Sequence, residues 1–587
     1  MAQSRLQQLY SYMRPHRKRA LLGILALLVV NLLGVYIPLV IRDSIDQLQT
    51  MTQASQDPPL NSFLPSVLFI LLLASIMWLV RVASRLLIFG VGRKVEFDLK
   101  QRIFQHLLVL EPGYFASSTV GDIINRATSD VDNVRRLLGF AVLSIINTLF
   151  AYVLTLPVMF AINFRLSLIA IAVYPVMLFL VLFFSDRLRT EQMEVQENLS
   201  NLSELIQEDM SGISLIKIYA QEDNEQNAFQ RRNQQLLGAN LKLAKTRNLL
   251  FPILTGLSSI SLLILLTFGT PALANGTLEV GGFVALILYV ERLVFPTALL
   301  GFTISTYQRG EVSIDRVESI LTATPNIKNV PHPVELPQPV SGRLQANNLT
   351  YSYPGTEKPA LDNVTFDIGP GEMVAVVGSI GGGKSTLANA IARLIDIDSE
   401  QLYLDDRDIT QIKLEALRSN IACVPQESFL FSTTIRENIR YGNPSKSQRE
   451  VEDVAKLAQV HSEILNFPQQ YDTIVGERGI TLSGGQRQRV SLARALLVDA
   501  PVFILDDALS SVDNQTATEI LHNLSQIRGG RTVLFISHQM AAASTLERVF
   551  VMDGGKIIQQ GTHQELLQQE GLYDKLWNQQ NLEAMLQ

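Results

Sequence analysis

Residues 378–386 have the types and spacing needed to bind the phosphates of a nucleotide. They read Gly-Ser-Ile-Gly-Gly-Gly-Lys-Ser-Thr and fit the pattern G-x-x-x-x-G-K-[S/T]. Glycines let backbone N–H groups point at phosphate oxygens, and the start of a following helix adds partial positive charge. Lys384 is then expected to contact the β- and γ-phosphates of ATP, and the Ser385 hydroxyl to ligate Mg²⁺. The residues predicted to bind ATP in this loop are Gly378, Ser379, Gly381, Gly382, Gly383, Lys384, Ser385 and Thr386.

The segments on either side of this loop are those that the pattern requires. Residues 373–377, Met-Val-Ala-Val-Val, are a short β-branched run that is typical of a buried strand. Residues 387–394 repeat apolar side chains at helical spacing. A strand, a glycine-rich turn and a helix in this order predict an α/β P-loop nucleotide-binding domain rather than a glycine-rich turn that matches by accident.

The composition predicts a membrane protein. Hydrophobic residues make up 47% of the 587 residues and charged residues only 18%, and the apolar residues are concentrated in roughly the first half of the chain. The net charge of −6 gives no indication of a nucleic-acid partner. The single cysteine, Cys423, leaves no possibility of an intrachain disulfide or of a cysteine-based metal site.

Six apolar segments are each close to or above the length that crosses a bilayer as a helix, about 20 residues. They cover residues 21–40, 63–89, 137–161, 166–184, 249–273 and 280–305. Basic residues cluster before the first segment and in the long connections after the second and fourth. The positive-inside rule therefore predicts that both termini, these two connections and the ATP-binding motifs are cytosolic.

The two long connections, 90–136 and 185–248, have few helix breakers and are predicted to extend the membrane helices into the cytosol. Each contains a turn, near 112–130 and 208–220, which we expect to contact the ATP-binding domain. A charged helix is predicted over 306–321, and prolines mark a linker over 322–341. The predicted domains are thus a transmembrane domain over 1–321 and an ATP-binding domain over 342–587.

Four charged residues fall inside the predicted spans, where each costs about 2.5–3.5 kcal/mol on insertion scales. Arg81 and Arg85 share one face of the second span, and Glu291 and Arg292 lie in the sixth. One interpretation is a cavity that favours anionic or lipid-like amphiphiles, with Arg81 and Arg85 contacting a phosphate. The other is that Arg81 or Arg85 pairs with Glu291 and only stabilises the helix bundle.

The motif at 482–486, Leu-Ser-Gly-Gly-Gln, followed at once by Arg-Gln-Arg, resembles the signature of the ATP-binding cassette (ABC) transporters. Six spans and one cassette on one chain resemble an exporter half-transporter, which implies a transmembrane helical bundle of type I exporter fold fused to an α/β P-loop NTPase. In this family the signature, here Ser483, Gly484, Gly485 and Gln486, binds the γ-phosphate of ATP held by a second subunit. The resemblance therefore implies a dimer and an ATPase.

The same resemblance assigns the remaining site residues one by one. Tyr353 matches the aromatic residue that stacks on adenine, Gln426 the glutamine that reaches Mg²⁺ and the attacking water, and Asp506 the Walker B aspartate that holds Mg²⁺. Asp513 matches the D-loop residue at the dimer interface, and His538 the switch histidine near the γ-phosphate. Glu477 matches an exporter loop that contacts membrane helices.

One position departs from the family pattern. The residue after the Walker B aspartate is normally glutamate, which polarises the attacking water, and here it is Asp507. Because aspartate is one methylene shorter, we expect this site to bind ATP well and cleave it slowly. An intact signature beside a shortened base resembles one half of a heterodimer, most like the A-type subunit of bacterial Mdl-type multidrug-resistance-like exporters.

The expected function is ATP-driven export of amphipathic drug-like or lipid-like molecules from the cytosol or inner leaflet of a bacterial plasma membrane. The partner is expected to be a second half-transporter that carries the glutamate. A lipid flippase and a homodimeric exporter stay open as alternatives. So does a protein of another class, an ATP-gated regulator or channel whose weak hydrolysis only sets a gate.

Overall fold

The computed structural model describes residues 5–53, 64–476, 479, 481–526 and 530–586. The chain divides by its contacts into two compact units, each considered separately here. The first unit comprises Met1–Leu108 and Ser118–Ala323, and the second comprises Val109–Ser117 and Thr324–Gln587.

The first unit is built of helices. A 3₁₀ turn at Arg14–His16 and single wider π-helical turns at Arg126–Asp130 and Leu137–Ala141 join some of them end to end. The helices, with α4 belonging to the second unit, are α1 (Arg5–Met13), α2 (Arg17–Gln53), α3 (Leu64–Leu107), α4 (Pro112–Ser117), α5 (Val120–Asn125), α6 (Val131–Arg136), α7 (Val142–Ile162), α8 (Phe164–Ile171), α9 (Val173–Ser211), α10 (Ile213–Ile218), α11 (Glu222–Ala274) and α12 (Val280–Leu321).

Six helical stretches among the described residues are long and apolar enough to span a membrane, which confirms the predicted number of spans. Each has between 42 and 53 residues, or about 63–80 Å at 1.5 Å per residue, roughly twice the thickness of a bilayer's hydrocarbon core. The helices thus continue well beyond the apolar segments, as the sparse helix breakers indicated. The fourth span is interrupted at Ala172, between α8 and α9, where the sequence predicted no break.

Helix α12 is the most extensively buried helix of the first unit and packs closely where it carries small residues. A Cβ atom added at Gly310 would lie 2.4 Å from Leu137 Cδ1, so only glycine permits this approach of the two helices. Polar contacts hold the C-terminal part of α12 as well. Arg316 Nη2 donates to Asp122 Oδ1 at 2.6 Å, and the Ser313 hydroxyl donates to Asp130 Oδ1 at 2.7 Å.

The second unit contains two sheets. A four-stranded antiparallel sheet has the order β2–β1–β4–β5, and a six-stranded sheet has the order β10–β9–β3–β8–β7–β6. The strands are β1 (Leu344–Tyr351), β2 (Leu361–Ile368), β3 (Met373–Gly378), β4 (Leu402–Leu404), β5 (Arg407–Asp408), β6 (Ile421–Val424), β7 (Val502–Asp506), β8 (Thr532–Ile536), β9 (Arg548–Asp553) and β10 (Lys556–Gly561).

Short helices connect and cover these strands. They are α13 (Lys384–Ile391), α14 (Leu414–Ser419), α15 (Ile435–Arg440), α16 (Gln448–Leu457), α17 (His461–Leu465), α18 (Gly484–Leu496), α19 (Asn514–Gln526), α20 (Met540–Ala543), α21 (His563–Leu567) and α22 (Leu572–Leu586). The α/β architecture predicted from the phosphate loop is therefore present.

The six-stranded sheet positions the site. Its strands β9, β3, β8, β7 and β6 are parallel, and every residue of β3, β7 and β8 is buried. Apolar clusters cover both faces of this sheet, which explains why these strands read as continuous hydrophobic runs. In such sheets ligands bind at the carboxyl ends of the strands.

Candidate nucleotide-binding site

The phosphate loop leaves the carboxyl end of β3 and enters α13. Gly378 and Gly383 have φ angles of +145° and +97°, a region that L side chains rarely adopt. Both also lie against backbone: a Cβ at Gly378 would be 1.9 Å from the Met552 carbonyl oxygen, and one at Gly383 would be 2.5 Å from that of Ala360. Glycine is therefore required at both positions to form the loop and to begin α13.

The Lys384 side chain folds back over the loop. Its Nζ donates hydrogen bonds to the carbonyl oxygens of Gly378 at 3.0 Å and Ser379 at 2.7 Å. Burial lowers the pKa of Lys384, and the nearby carboxylates of Asp507 and Asp506 oppose that shift. The ammonium group is thus held at the loop where phosphate oxygens would bind.

Asp506 is the last residue of β7, and its carboxylate faces the start of α13. The Ser385 hydroxyl donates to Asp506 Oδ1 at 3.0 Å. Burial raises the pKa of Asp506, the neighbouring charge of Asp507 adds to this rise, and the Ser385 hydrogen bond opposes it. A serine hydroxyl beside a buried carboxylate is a donor pair that fits Mg²⁺, which binds through one or two carboxylates together with substrate phosphates.

Asp507 lies directly after β7 with φ of +50°. Its backbone N–H donates to the Ile536 carbonyl oxygen at 2.8 Å, which fixes the main chain between the ends of β7 and β8. Its Oδ1 atom is buried and has no hydrogen-bond partner among the described residues. This carboxylate is thus close to Lys384, Asp506 and His538, and its negative charge acts to raise the pKa of each of them.

The other predicted catalytic residues follow neighbouring strands of the same sheet. Gln426 comes after β6 and His538 after β8, and both are solvent-exposed. Partial desolvation, helped by the Lys384 ammonium, lowers the pKa of His538, while Asp507 and Asp506 oppose the shift. These residues are far apart in the sequence, but β8, β7 and β6 are adjacent in the sheet, so the strands that precede them lie side by side.

Tyr353 lies just beyond β1 and next to the phosphate loop. Its hydroxyl is 3.3 Å from Thr386 Oγ1, and its ring packs edge-on against Tyr351 with centroids 5.1 Å apart. The ring is 39% exposed, which leaves part of its surface accessible to a stacked base.

The signature motif caps a second helix. Ser483 is the N-cap of α18 and forms a capping box with Gln486: its hydroxyl accepts from the Gln486 N–H at 3.2 Å, and Gln486 Oε1 accepts from the Ser483 N–H at 2.9 Å. The helix begins at Gly484. A helix N-terminus with small residues around it is a site that favours an anion.

The signature and the D-loop form one connected segment. Gln488 of α18 donates from Nε2 to the Ser510 hydroxyl at 2.8 Å, and its Oε1 accepts from the Ser511 N–H at 2.8 Å. A Cβ at Gly485 would lie 2.7 Å from the Ser511 carbonyl oxygen, so the two segments are in close contact. Gln488 could not be singled out from sequence, because nothing in its local pattern indicates which loop it contacts.

Asp513 has a local structural role in the chain. Its Oδ1 accepts from the Thr516 N–H at 2.9 Å at the start of α19, and this contact lowers the pKa of Asp513. Among the described residues no hydrogen bond joins the signature to the phosphate loop of the same chain. Glu477 lies outside the described residues.

A phosphate loop with a buried hydroxyl–carboxylate pair, carried on a chain with six apolar helices, defines an ATP-hydrolysing membrane transporter. Residues 20–297 match the ABC transporter transmembrane region, and residues 361–510 match the ABC transporter ATPase family, described as "ABC transporter". The chain belongs to the ABC transporter family and has the fused layout of its exporter half-transporters.

Relatives match along nearly the whole chain. The "Multidrug resistance-like ATP-binding protein MdlA" of Escherichia coli is 33% identical over 99% of this chain and 97% of its own length. The "ATP-dependent lipid A-core flippase" of Syntrophus aciditrophicus is 30% identical over 97% of this chain and 93% of its own. The fold also matches an Atm1-family bacterial ABC exporter with ATP bound, with a TM-score of 0.79, 23% identity, and coverage of 96% of this chain and 99% of that one.

Proposed function

We propose that this chain is one half of a heterodimeric ATP-driven exporter of amphipathic molecules, in which its own ATP site hydrolyses slowly. The partner half-transporter is proposed to carry the Walker B glutamate that this chain lacks. The observation that carries the proposal is the aspartate at position 507, whose main chain is hydrogen-bonded between two strand ends and whose short side chain reaches less far than glutamate.

In this proposal the chain's residues bind Mg²⁺–ATP at the carboxyl edge of the six-stranded sheet. The loop N–H groups and Lys384 bind the phosphates, and Ser385, Asp506 and Gln426 hold Mg²⁺, which neutralises charge on the transferred phosphoryl group when bound. Tyr353 stacks on the adenine ring. Asp507 and His538 orient the attacking water and the γ-phosphate, with Asp507 set back by about one C–C bond, roughly 1.5 Å.

The lack of contact between signature and phosphate loop in one chain supports the need for a second subunit. Ser483 is engaged with Gln486 at the start of α18, and Lys384 with its own loop. The signature of this chain is therefore proposed to complete the partner's ATP site, and the partner's signature to complete this one. Closure of the two cassettes would drive the membrane helices to expose the cargo site outward.

Two matched substitutions in this chain test the arrangement. The chain is purified together with a candidate half-transporter, and ATPase activity of the pair is measured. Ser483→Arg in this chain should lower the activity of the pair by about 100-fold, because it removes the serine hydroxyl that would contact the γ-phosphate of ATP in the partner's site. Lys384→Ala in this chain should leave most activity, because it affects only the slow site. If both substitutions abolish activity equally, the two sites are equivalent and the heterodimer proposal fails.

The alternatives predict different outcomes. A homodimeric exporter would give full ATPase activity from this chain alone, and the same Lys384→Ala change would abolish it. A lipid flippase uses the same ATPase cycle, and the relative named as a lipid A-core flippase keeps that possibility open. An ATP-gated regulator or channel would show no vanadate-sensitive uphill transport in vesicles, whereas an exporter or flippase would.

The proposed location is the bacterial inner membrane with both termini and the ATPase domain in the cytosol. It is supported by the basic residues that flank the first span and fill the long connections. Labelling of cysteines introduced at the two termini in inverted and right-side-out vesicles would test this orientation.

A further inference from the structure

A cavity with a polar lining lies between α2, α3, α7 and α12 in the first unit. It encloses about 730 Å³, within the range of about 300–1,000 Å³ that small-molecule sites occupy. Asn31 and Arg292 line it near the middle of the apolar segments of α2 and α12, and Arg81 and Arg85 line it from α3. The cavity thus lies at a depth where charged groups are costly.

All charged side chains that line this cavity are basic. Arg81, Arg85 and Arg292 contribute guanidinium groups, and none of the described lining residues is an aspartate or glutamate. Glu291 is exposed on another face of α12, and in the described part of the chain it forms no ion pair with Arg81 or Arg85. The interpretation of these arginines as structural partners of Glu291 is therefore wrong.

Arg292 is positioned by α2. Its Nη2 donates to the Asn31 carbonyl oxygen at 3.0 Å and to Asn31 Oδ1 at 3.1 Å, and Asn31 in turn donates to Asn147 Oδ1 at 3.1 Å. A Cβ at Gly34 would lie 2.0 Å from Arg292 Nη1, so glycine makes room for the guanidinium. Nη1 itself is buried without a hydrogen-bond partner among the described residues, which leaves a strong donor unused.

The rest of the lining is suited to hydrocarbon. The aromatic rings of Phe89, Phe140 and Phe295 share the cavity with the polar side chains Ser84, Ser144 and Thr148. A ligand that satisfied both parts would carry a compact anionic group at one end and an apolar body at the other. Guanidinium groups bind phosphate and carboxylate oxygens in pairs, which makes them suited to this anionic end.

We propose that this cavity binds amphiphiles with an anionic head, a phosphate or a carboxylate, through Arg81, Arg85 and Arg292. This inference rests on the proposed export function and specifies its cargo. Three positive charges from two helices repel one another in a low-dielectric site and are stabilised when the ligand supplies the negative charge. Arg292 is the preformed contact, and the exposed side chains of Arg81 and Arg85 complete it from α3.

The test compares three probes with the same twelve-carbon tail: dodecyl phosphate, dodecylphosphocholine and dodecyltrimethylammonium. Binding of each to the full-length transporter in phosphatidylcholine nanodiscs is measured by equilibrium dialysis. The expected result is tightest binding of dodecyl phosphate. Arg85→Gln and Arg292→Gln should each weaken it roughly tenfold while leaving the cationic probe unchanged or tighter. Arg292→Lys, which keeps the charge, distinguishes a binding loss from misfolding.

Arg93→Gln is the matched control, because Arg93 is on the same helix outside the cavity and pairs with Glu96 at 2.9 Å. It should leave all three affinities unchanged. Nanodiscs that contain phosphatidic acid form a second arm: competition with dodecyl phosphate indicates a lipid headgroup as the natural ligand, and its absence indicates a soluble anionic amphiphile. Equal binding of the three probes, or an anionic preference that survives both glutamine variants, would overturn the proposal.

Failure of this proposal and failure of the export function give different results. If vanadate-sensitive uphill transport is observed with cationic or neutral amphiphiles and no anionic preference exists, the cargo class is wrong and the exporter stands. If dodecyl phosphate binds through these arginines and no uphill transport of any probe occurs, the cavity is an anion site in a protein that is not an exporter.

Discussion

Replacing Asp507 with glutamate should increase the rate of ATP hydrolysis at this chain's own site. The substitution extends the side chain by one methylene, about 1.5 Å, and restores the residue that the family normally has. It leaves the residues that bind the phosphates and Mg²⁺ unchanged, so the affinity for ATP should change little.

The size of the effect follows from how the main chain is held. The Asp507 N–H donates to the Ile536 carbonyl oxygen at 2.8 Å, and the Asp507 carbonyl oxygen accepts from the Ser510 N–H at 3.3 Å. The backbone therefore cannot move forward to compensate for the missing methylene. A displacement of about 1 Å can cost on the order of 100-fold in rate, or about 2.7 kcal/mol. We expect the rate of hydrolysis at this chain's own site to rise by roughly 10- to 100-fold in Asp507→Glu.

The backbone conformation sets a limit on this gain. Asp507 has φ of +50°, a region in which aspartate is enriched and glutamate is not. Glutamate there should cost about 1 kcal/mol of stability, so a slightly lower Tm is expected together with the higher rate. A gain in rate that accompanies a loss in stability separates an effect on the chemistry from a general stabilisation of the cassette.

The assay is phosphate release from the purified pair in which the partner's phosphate-loop lysine is replaced by alanine, so that this chain's site is the one that hydrolyses ATP. Nucleotide affinity is measured separately with a fluorescent ATP analogue. Asp507→Asn is the matched control, because it keeps the side-chain length and removes the charge. If Asp507 is already a poor base, Asp507→Asn should change the rate by less than about threefold. Unchanged activity in Asp507→Glu, or a large loss in Asp507→Asn, would show that the aspartate serves as a competent base and would refute the reasoning.

Three further outcomes are expected. Gly378→Ala should abolish nucleotide binding and lower Tm, because a methyl group would meet a backbone carbonyl oxygen 1.9 Å away. Gly381→Ala is the control: its Cβ would have no atom within 4 Å, so the variant should retain the fold and show only the strain of φ +77°. Fluorescence-monitored melting compares the two variants. Arg316→Gln removes the exposed pair with Asp122 and leaves the buried Asp130 carboxylate, 3.3 Å from Arg316 Nε, without its cation. Tm should therefore fall by roughly 5 °C or more, which a melting curve measures. Burial raises the pKa of Cys423 to about 12. In urea the thiol regains its ordinary pKa and a larger thiolate fraction, so at pH 8 alkylation of the native protein should be roughly 1,000-fold slower than in urea. Timed maleimide labelling measures both rates.

The site strands could be predicted from sequence because each is a short continuous apolar run. The predicted strand at 373–377 is β3, extended by one residue to Gly378, and the apolar run that ends in the Walker B aspartate is β7. Parallel strands that are buried on both faces do not alternate apolar and polar residues, so a continuous apolar run is enough to identify them. The order in which these strands lie in the sheet was not readable from the residues, because it depends on which helices cover each face.

The cavity in the membrane unit shows what a sequence leaves undetermined. Glu291 and Arg292 are neighbours in the chain and lie about 100° apart around α12, so rotation of the helix decides which one faces inward. Both are charged, and hydrophobic periodicity cannot choose between them. The structure turns Arg292 towards Asn31 and leaves Glu291 exposed, and the close approach that Gly34 permits fixes this rotation.

The contact made by Gln488 bears on why an intact signature and a shortened base occur together. Through Ser510 and Ser511 the start of α18 is joined to the residues just after Asp507. In the proposed heterodimer, ATP bound by the partner would touch Ser483 and so act on the same segment that carries this chain's base. Slow hydrolysis at Asp507 would then keep this segment in its ATP-bound arrangement while the partner's site turns over. The cycle of opening and closing would be driven from one site, with the other maintaining contact between the subunits.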